Sequence, residues 1–287
     1  MKAKTIKAVI SKKIKEWEES IKDEAVRNLV RNNAIVTGGC IASMLLKEPV
    51  NDFDVYFRTF KAAKSIADYY VKVFEENTGQ KLSVVVEDDR IKISTENGHR
   101  GETAADPIIL NDAGEIEDLY EELQEGAQEV KDSSYRPVFL STNAITLSNK
   151  VQLVLRFYGE PDVIHKYYDF IHCTNYWKSW DEELVLHQAA LESLLSKELK
   201  YVGSKYPVCS IFRLRKFIKR NWTINAGQIL KMAFQVSELD LSDPKVLEDQ
   251  LTGVDCAYFS QLMSKLKENN PDKVNSAYLC TILDKMF

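Results

Sequence analysis

From residue 5 to residue 31 the apolar positions return at intervals of three and four. They are Ile6, Val9, Ile10, Ile14 and Trp17, then Ile21, Ala25 and Leu29. That is the period of an amphipathic helix, and it predicts helical structure over the whole stretch. The pattern then changes. "AIVT" (34–37) is a short continuous apolar run, the signature of a buried strand, and it stops at Gly38–Gly39. Ile41 and Leu45 share a face across the next one or two helical turns. "DFDVYFR" alternates and predicts a strand. Thr59 is placed to cap a helix running to about Asn77, with Gly79 as its stop. "KLSVVVE" and "RIKIS" flank a polar pair, and "NAITL" and "VQLVLRF" flank Ser148–Lys150, so each reads as a hairpin. "PDVIHKYY" is a short helix with Pro161 near its start. "DFIHC" (169–173) reads as one more strand, and residues 96–136 as glycine-containing acidic loops with one short helix.

Beyond Trp180 the spacing is helical throughout. "DEELVLHQAALESLLSKEL", "CSIFRLRKFIKR", "NAGQILKMAFQVSEL", "DPKVLEDQL" and the C-terminal tail all suit helices. The pattern therefore predicts an α+β fold, with a mixed α/β part followed by an all-helical part and the boundary near residue 178. No repeat of solenoid period is present.

Composition narrows the class. Of 287 residues, 45% are hydrophobic and 28% charged, which is ordinary for a folded globular chain. No apolar run reaches the ~18–20 residues needed to cross a bilayer. The lysine-interrupted N-terminus lacks the apolar core of a signal peptide, so a cytoplasmic location is expected. The five cysteines are scattered and odd in number, as expected of reduced thiols. The four histidines lack metalloprotease spacing and are expected in packing or surface roles.

A net charge of −5 opposes binding nucleic acid through the whole surface. The charge is uneven, however. Six lysines and no acid fall in 2–15, and 197–220 carries eight basic residues against Glu198. The N-terminal lysines read as a solvated helix face.

The candidate chemistry lies at 38–54. Alternate strand positions share a face, so Asp52, Asp54 and Tyr56 point one way and Phe53, Val55 and Phe57 the other. Paired carboxylates repel one another unless a cation joins them, and magnesium favours carboxylate oxygens while leaving positions open for phosphate. Two such ions can clamp the attacking and leaving oxygens of an in-line phosphoryl displacement. A third carboxylate is normally required from a neighbouring strand. Asp169, opening an apolar run, is the candidate for both metal binding and proton removal. Gly38 and Gly39, between a strand and a helix, allow a sharp bend that presents backbone N–H groups and a helix N-terminus to phosphate.

With these residues in view, the chain resembles the DNA polymerase β-type nucleotidyltransferase superfamily, and within it the branch of tRNA CCA-adding enzymes and bacterial poly(A) polymerases. "GGCIASMLLK" aligns without gaps to that branch's GG-x-V-R-D-x-L-L-G motif. Asp52 and Asp54 fall at the spacing of its D-x-D pair, and Leu45 and Leu46 match its leucines. "RLRKFIKRNWTI" (213–224) is similar to its neck helix LRAxRFAxxxGFxI, and "YDFIHCTN" more loosely to RRDFTINA. Ala42 and Ser43 replace the motif's Arg-Asp, Tyr167 and Tyr168 its paired arginines, and Asn221 a glycine. The base-selecting E-D-x-x-R has no counterpart. These departures mark a divergent, phage-like relative.

The resemblance implies N-terminal helices (1–31) packed on a nucleotidyltransferase palm with a mixed sheet (32–178), followed by a helical C-terminal domain (179–287). It also implies transfer of NMP from an NTP to an acceptor hydroxyl with release of pyrophosphate, using two Mg2+ ions that Mn2+ could replace. The nucleotide would meet Gly38, Gly39, Ser43, Arg213, Lys216 and Arg220. The acceptor implied is an RNA 3′ end, with tRNA as the model. The alternatives are nucleotidylation of a protein or small molecule, as in toxin-type and antibiotic-modifying relatives, and a non-catalytic binding module.

On a helix Arg213, Lys216 and Arg220 share one face, a cationic wall for triphosphate or RNA backbone. The plainer reading is a solvated amphipathic helix with Ile211, Leu214 and Ile218 buried. Tyr167, Tyr168, Tyr176 and Trp177 are candidates for base stacking or core. Ser141 and Asn143 are candidates for sugar or phosphate contact.

Overall fold

The computed structural model describes residues 1–87, 89–95, 135–140 and 143–243, together with 246, 249 and 250. Most of the acidic 96–136 segment, His99, Ser141, Cys256, Cys280, most of "DPKVLEDQL" and the C-terminal tail lie outside these residues.

The N-terminal helical period resolves into two helices, α1 (Ala3–Ser20) and α2 (Glu24–Asn33). The single predicted stretch breaks because the Asp23 side chain accepts the amides of Ala25 and Val26 and starts a new helix. Arg31 pairs with the largely buried Glu18 and ties the two together. Then follow β1 (Ala34–Thr37), α3 (Gly39–Leu46), β2 (Phe53–Phe57) and α4 (Phe60–Thr78). Thr59 accepts the Ala62 amide at the start of α4, and Gly79 closes the helix in the left-handed region, as expected. The hairpins form β3 (Leu82–Glu87) with β4 (Arg90–Thr95), and β6 (Ala144–Leu147) with β7 (Val151–Tyr158). Strand β5 (Pro137–Leu140) pairs with β6.

Among the described residues the main sheet has seven strands in the order β5-β6-β7-β2-β1-β8-β9, where β8 is Tyr176–Lys178 and β9 is Leu184–Val185. It is mixed. β2 and β7 run parallel, whereas β1 is antiparallel to both β2 and β8. One face carries the principal core. Ile6, Ile10, Ile14 and Trp17 of α1 and Ile66, Tyr70 and Phe74 of α4 close over Val36, Val55, Phe57 and Leu153. The strand alternation holds there, since Phe53, Val55 and Phe57 enter this core while Tyr56 joins Ile35 and Ile164 on the other face. That second face is covered by half-buried Tyr168, Tyr176, Trp180 and Phe157.

After α5 (Pro161–His165) the structure departs from expectation. "DFIHC" is not a strand. Phe170 makes an isolated bridge to Tyr201, and Ile171–Cys173 is a 3-10 turn. The position beside β1 is taken by β8, and Trp177 of that strand is buried in the core. The region after residue 178 is helical but not purely so. Leu184–Val185 finishes the sheet, and α6 begins only at Gln188 and ends at Ser196. β10 (Glu198–Leu199) and β11 (Thr223–Ile224) form a parallel pair beside α7 (Pro207–Lys219) and α8 (Ala226–Ser237). A second core of Phe170, Leu194, Leu199, Tyr201, Trp222 and Met232 packs these helices against Ala42 of α3.

Candidate functional site

The glycine pair divides its labour. Gly38 has φ 92° and ψ −148°, a region essentially reserved for glycine. It donates its N–H to the carbonyl of Cys173 (3.1 Å), so that amide holds the 3-10 turn. A Cβ at Gly38 would lie 3.0 Å from Asp54 Oδ2 and 3.5 Å from the Tyr168 hydroxyl. Gly39 is the first residue of α3 and has open space around it. Gly38, at the N-cap, has no side chain to cap the first-turn amides of α3. These are the amides that can receive an anion.

Asp54 sits in the middle of this arrangement. Its cross-strand neighbours are Thr37 on β1 and Gln152 on β7, so neither adjacent strand supplies a carboxylate at its level. The Thr37 hydroxyl donates to the carbonyl of Asn175 (2.9 Å), and His165 Nε2 lies 2.9 Å from the same oxygen. The hydroxyl has one proton to give, so the imidazole donates its Nε2–H to Thr37. Burial, then the nearby His187, lowers the His165 pKa to about 4 and keeps it neutral.

Burial and the carboxylates together shape the local electrostatics. Burial first, then the charges of Asp54 and Asp52, push the Cys40 thiol well up. The Tyr56 hydroxyl is raised by burial and then by Asp54. Tyr168 is raised by burial, by Tyr56 and by Asp54, and Cys173 by burial, by Asp169 and by Asp54. Asp54 thus acts on four weak acids around it. Cys173 lies within electrostatic reach of both Asp54 and Asp169. Tyr168, the residue before Asp169, packs 6.0 Å from the Tyr56 ring. Asp169 itself is buried. Its immediate partner is Arg213, whose Nη1 donates to Oδ2 at 2.6 Å, while its Oδ1 accepts the Phe170 amide at 3.0 Å.

Among the described residues, no three His, Cys, Asp or Glu side chains are gathered as a ready-made metal cage. The donor chemistry nonetheless suits a hard divalent ion at Asp52 and Asp54. Both offer carboxylate oxygens, and after burial the negative charge of Asp54, joined by Asp52 at Cys40, is what raises the neighbouring thiols and phenols; a divalent ion would neutralise that charge. Burial, with the neighbouring carboxylates, disfavours the thiolate forms of Cys40 and Cys173, the forms that would ligate a soft metal.

The basic helix is arranged differently from the predicted wall. Arg213 is bonded to Asp169, and Arg220 to Glu48 at 2.6 Å, with Lys197 also 3.5 Å from Glu48. Lys216 is exposed. Ser43, half-buried in the second turn of α3, accepts the Glu48 amide through its carbonyl at 2.8 Å, so Glu48 staples α3 to the end of α7. Nor is the plainer reading of α7 complete. Leu214 packs inward, but Ile211 and Ile218 are 45% and 51% exposed. Thr37, His165, Gln152 and Glu48 escaped the sequence reading. Thr37 alone left a signal, since a polar residue ending an apolar strand just before the glycines has to face the site.

The described residues contain no helix long and apolar enough to cross a membrane. Among solved structures, the Thermotoga maritima CCA-adding enzyme complexed with tRNA overlaps 87% of this chain and 53% of its own, at 14% identity and a TM-score of 0.40. A tRNA-processing enzyme with CTP overlaps 82% and 52%, at 12% identity and a TM-score of 0.37. In sequence, "Gabija anti-defense 2" of Bacillus phage SPbetaL7 is 20% identical over 251 residues, covering 86% of this chain. The chain spans 48% of that relative's length. The family described as "Gabija anti-defense 2 family protein" matches residues 8–197, which run from α1 through the sheet, the glycine bend, the aspartate pair and Asp169. With more than half of its length under that match, the chain belongs to the Gabija anti-defense 2 family.

Proposed function

We propose that this protein is a metal-dependent nucleotidyltransferase that joins NMP from an NTP to an acceptor hydroxyl and releases pyrophosphate. The observation that carries the reading is the fit of Gly38 against Asp54, a bend that brings the start of a helix with no capping side chain beside Asp54. Asp52 and Asp54 would hold the divalent ion. When bound, that ion supplies Lewis-acid neutralisation of phosphate charge and eases loss of the acceptor proton. The first-turn amides of α3 receive the phosphate oxygens, favoured by the helix dipole. Asp169, held by the Arg213 guanidinium, takes the third-acid role and accepts the proton as the acceptor oxygen bonds to the α-phosphorus and pyrophosphate departs. Most of the rate comes from alignment and charge compensation.

The acceptor we favour is an RNA 3′ end. Transfer to a protein or small molecule is the second reading. It is supported by the ion pairs that occupy Arg213 and Arg220 and so diminish the predicted RNA-facing wall. The name shared by the family and the Bacillus phage relative supports a phage setting, in which the transfer would act against Gabija defence.

The test is incubation with each α-labelled triphosphate, Mg2+ and host-cell extract, beside an Asp52→Ala/Asp54→Ala control. Label on RNA supports the first acceptor, and label on protein or metabolite the second. Equal labelling by the control, or none with any triphosphate, leaves a non-catalytic binding module.

A further inference from the structure

The bend at Gly38 has little stiffness of its own, because a residue without a Cβ moves between backbone regions at small cost. Its place against Asp54 therefore depends on what holds it from outside. Two of the holding bonds end on residues 173–175. The Gly38 N–H donates to the Cys173 carbonyl at 3.1 Å. The Thr37 hydroxyl donates to the Asn175 carbonyl at 2.9 Å, with the Cys173 carbonyl 3.3 Å away. Cys173 is also the residue whose thiol is raised, after burial, by both Asp169 and Asp54. The segment that follows Asp169 is thus fastened to the strand end that lies opposite Asp54.

Thr37 is where these ties meet. It is fully buried at the end of β1, across from Asp54 on one side and Tyr176 on the other. Strand alternation puts its side chain on the face of Ile35, which is also the face of Tyr56 and Asp54. The hydrogen of the hydroxyl is committed to Asn175, and a lone pair takes the Nε2–H of His165 at 2.9 Å. His165 ends α5, and the rings of Tyr168, Tyr176 and His187 wall it in at 5.1, 5.7 and 6.4 Å between centroids. Asn175, wholly buried, passes the tie onward, since its Oδ1 accepts the His187 amide at 2.9 Å where α6 begins. One hydroxyl therefore joins β1, α5, the turn after Asp169 and the first helix of the C-terminal region.

We propose that Thr37, oriented by His165, is a positioning residue that sets the Gly38 bend and the Asp169 segment against Asp54. Its role is to fix where the acids stand, not to meet a substrate. Removing a supporting side chain of this kind typically changes metal affinity by about 10–100-fold. That consequence rests on the catalytic reading above, whereas the tie itself does not. Valine is the informative replacement. It keeps the branched shape and deletes the hydroxyl, so the Asn175 carbonyl and the His165 N–H both lose this partner. Serine keeps the hydroxyl and loses only a methyl group.

Two measurements on the full chain test it. Hydrogen exchange followed by NMR reads the Gly38 amide without metal or nucleotide. Thr37→Val should speed its exchange about 10-fold, and Thr37→Ser should leave it near the parent rate. Titration with Mn2+, followed by electron paramagnetic resonance, reads the acids without turnover. Thr37→Val should weaken Mn2+ binding about 10-fold, and Thr37→Ser should restore it. His165→Leu should weaken binding likewise, and His165→Gln, whose amide can still donate, should recover most of the loss. A residue that merely filled space would be satisfied by valine in both measurements. The proposal is overturned if folded Thr37→Val keeps the parent's Gly38 exchange, or if it keeps the parent's Mn2+ affinity. The Asp52→Ala/Asp54→Ala control separates this from the catalytic reading. If that control binds Mn2+ as the parent does, the catalytic reading fails and takes this inference with it. If the control loses the ion while Thr37→Val holds it as before, this inference fails alone.

Discussion

Substituting the two adjacent glycines separately tests the geometry of the bend. Gly38→Ala carries two penalties. The backbone at φ 92° and ψ −148° is open to glycine and costs about 1–3 kcal/mol for any L side chain. The new methyl also arrives 3.0 Å from Asp54 Oδ2 and 3.9 Å from its Cβ, with the Tyr168 hydroxyl at 3.5 Å on the other side. The carboxylate has to move by a few tenths of an ångström or more. Since a misplacement of about 1 Å can cost about 100-fold in rate, a loss of at least about 10-fold in transfer is expected beyond the loss of stability. Gly39→Ala meets nothing within 4 Å at the start of a helix, and should be neutral or stabilising by up to about 1 kcal/mol. Urea denaturation measures the first effect, and single-turnover transfer of labelled NMP by the folded fraction measures the second. If the two alanine variants match in both measurements, Gly38 is an ordinary turn residue and the argument from its fit against Asp54 fails.

Three further outcomes follow from named contacts. Arg213→Ala strips the buried Asp169 of its guanidinium and should cost about 1–3 kcal/mol; adding Asp169→Asn should restore much of the stability but none of the transfer, and purely additive melts would refute the coupling. His172 is buried against Trp222 and Phe217, ring centres 4.4 and 4.7 Å away, and burial lowers its pKa to about 4, as it does for His165. The unfolded imidazoles protonate below about 6.5 and the folded ones only near 4, so stability is intact above that range and lost as pH falls through it, by up to about 2.7 kcal/mol per pH unit for the pair. His172→Leu should remove about half of that slope, and an unchanged urea midpoint-versus-pH curve would contradict this. Tyr70→Phe orphans the Trp17 indole N–H that now donates to the Tyr70 hydroxyl at 2.7 Å, and should cost about 1–3 kcal/mol in urea while leaving transfer per folded molecule unchanged.

Much of the fold is written locally. Period-2 alternation and tight polar turns make the β3–β4 and β6–β7 hairpins readable, because each forms between neighbours in the chain. Thr59 and Gly79 announce the ends of α4 through backbone geometry that no distant residue has to supply. The two faces of β2 follow from strand alternation, so the grouping of Asp54 with Tyr56 and its separation from Val55 are properties of the sequence alone.

What the sequence could not decide was partnership. "DFIHC" has the apolar content of a strand, but a strand exists only if an edge is available to pair with, and Tyr176–Lys178 takes the place beside β1. Arg213 and Arg220 read as free cations on a helix face until the chain folds back and brings Asp169 and Glu48 to them. The pairing of Arg90 and Arg156 with Asp249 is invisible for the same reason. Local order depends on the shape and spacing of successive residues, whereas charge compensation depends on which distant groups share a small volume, and tertiary packing alone sets that.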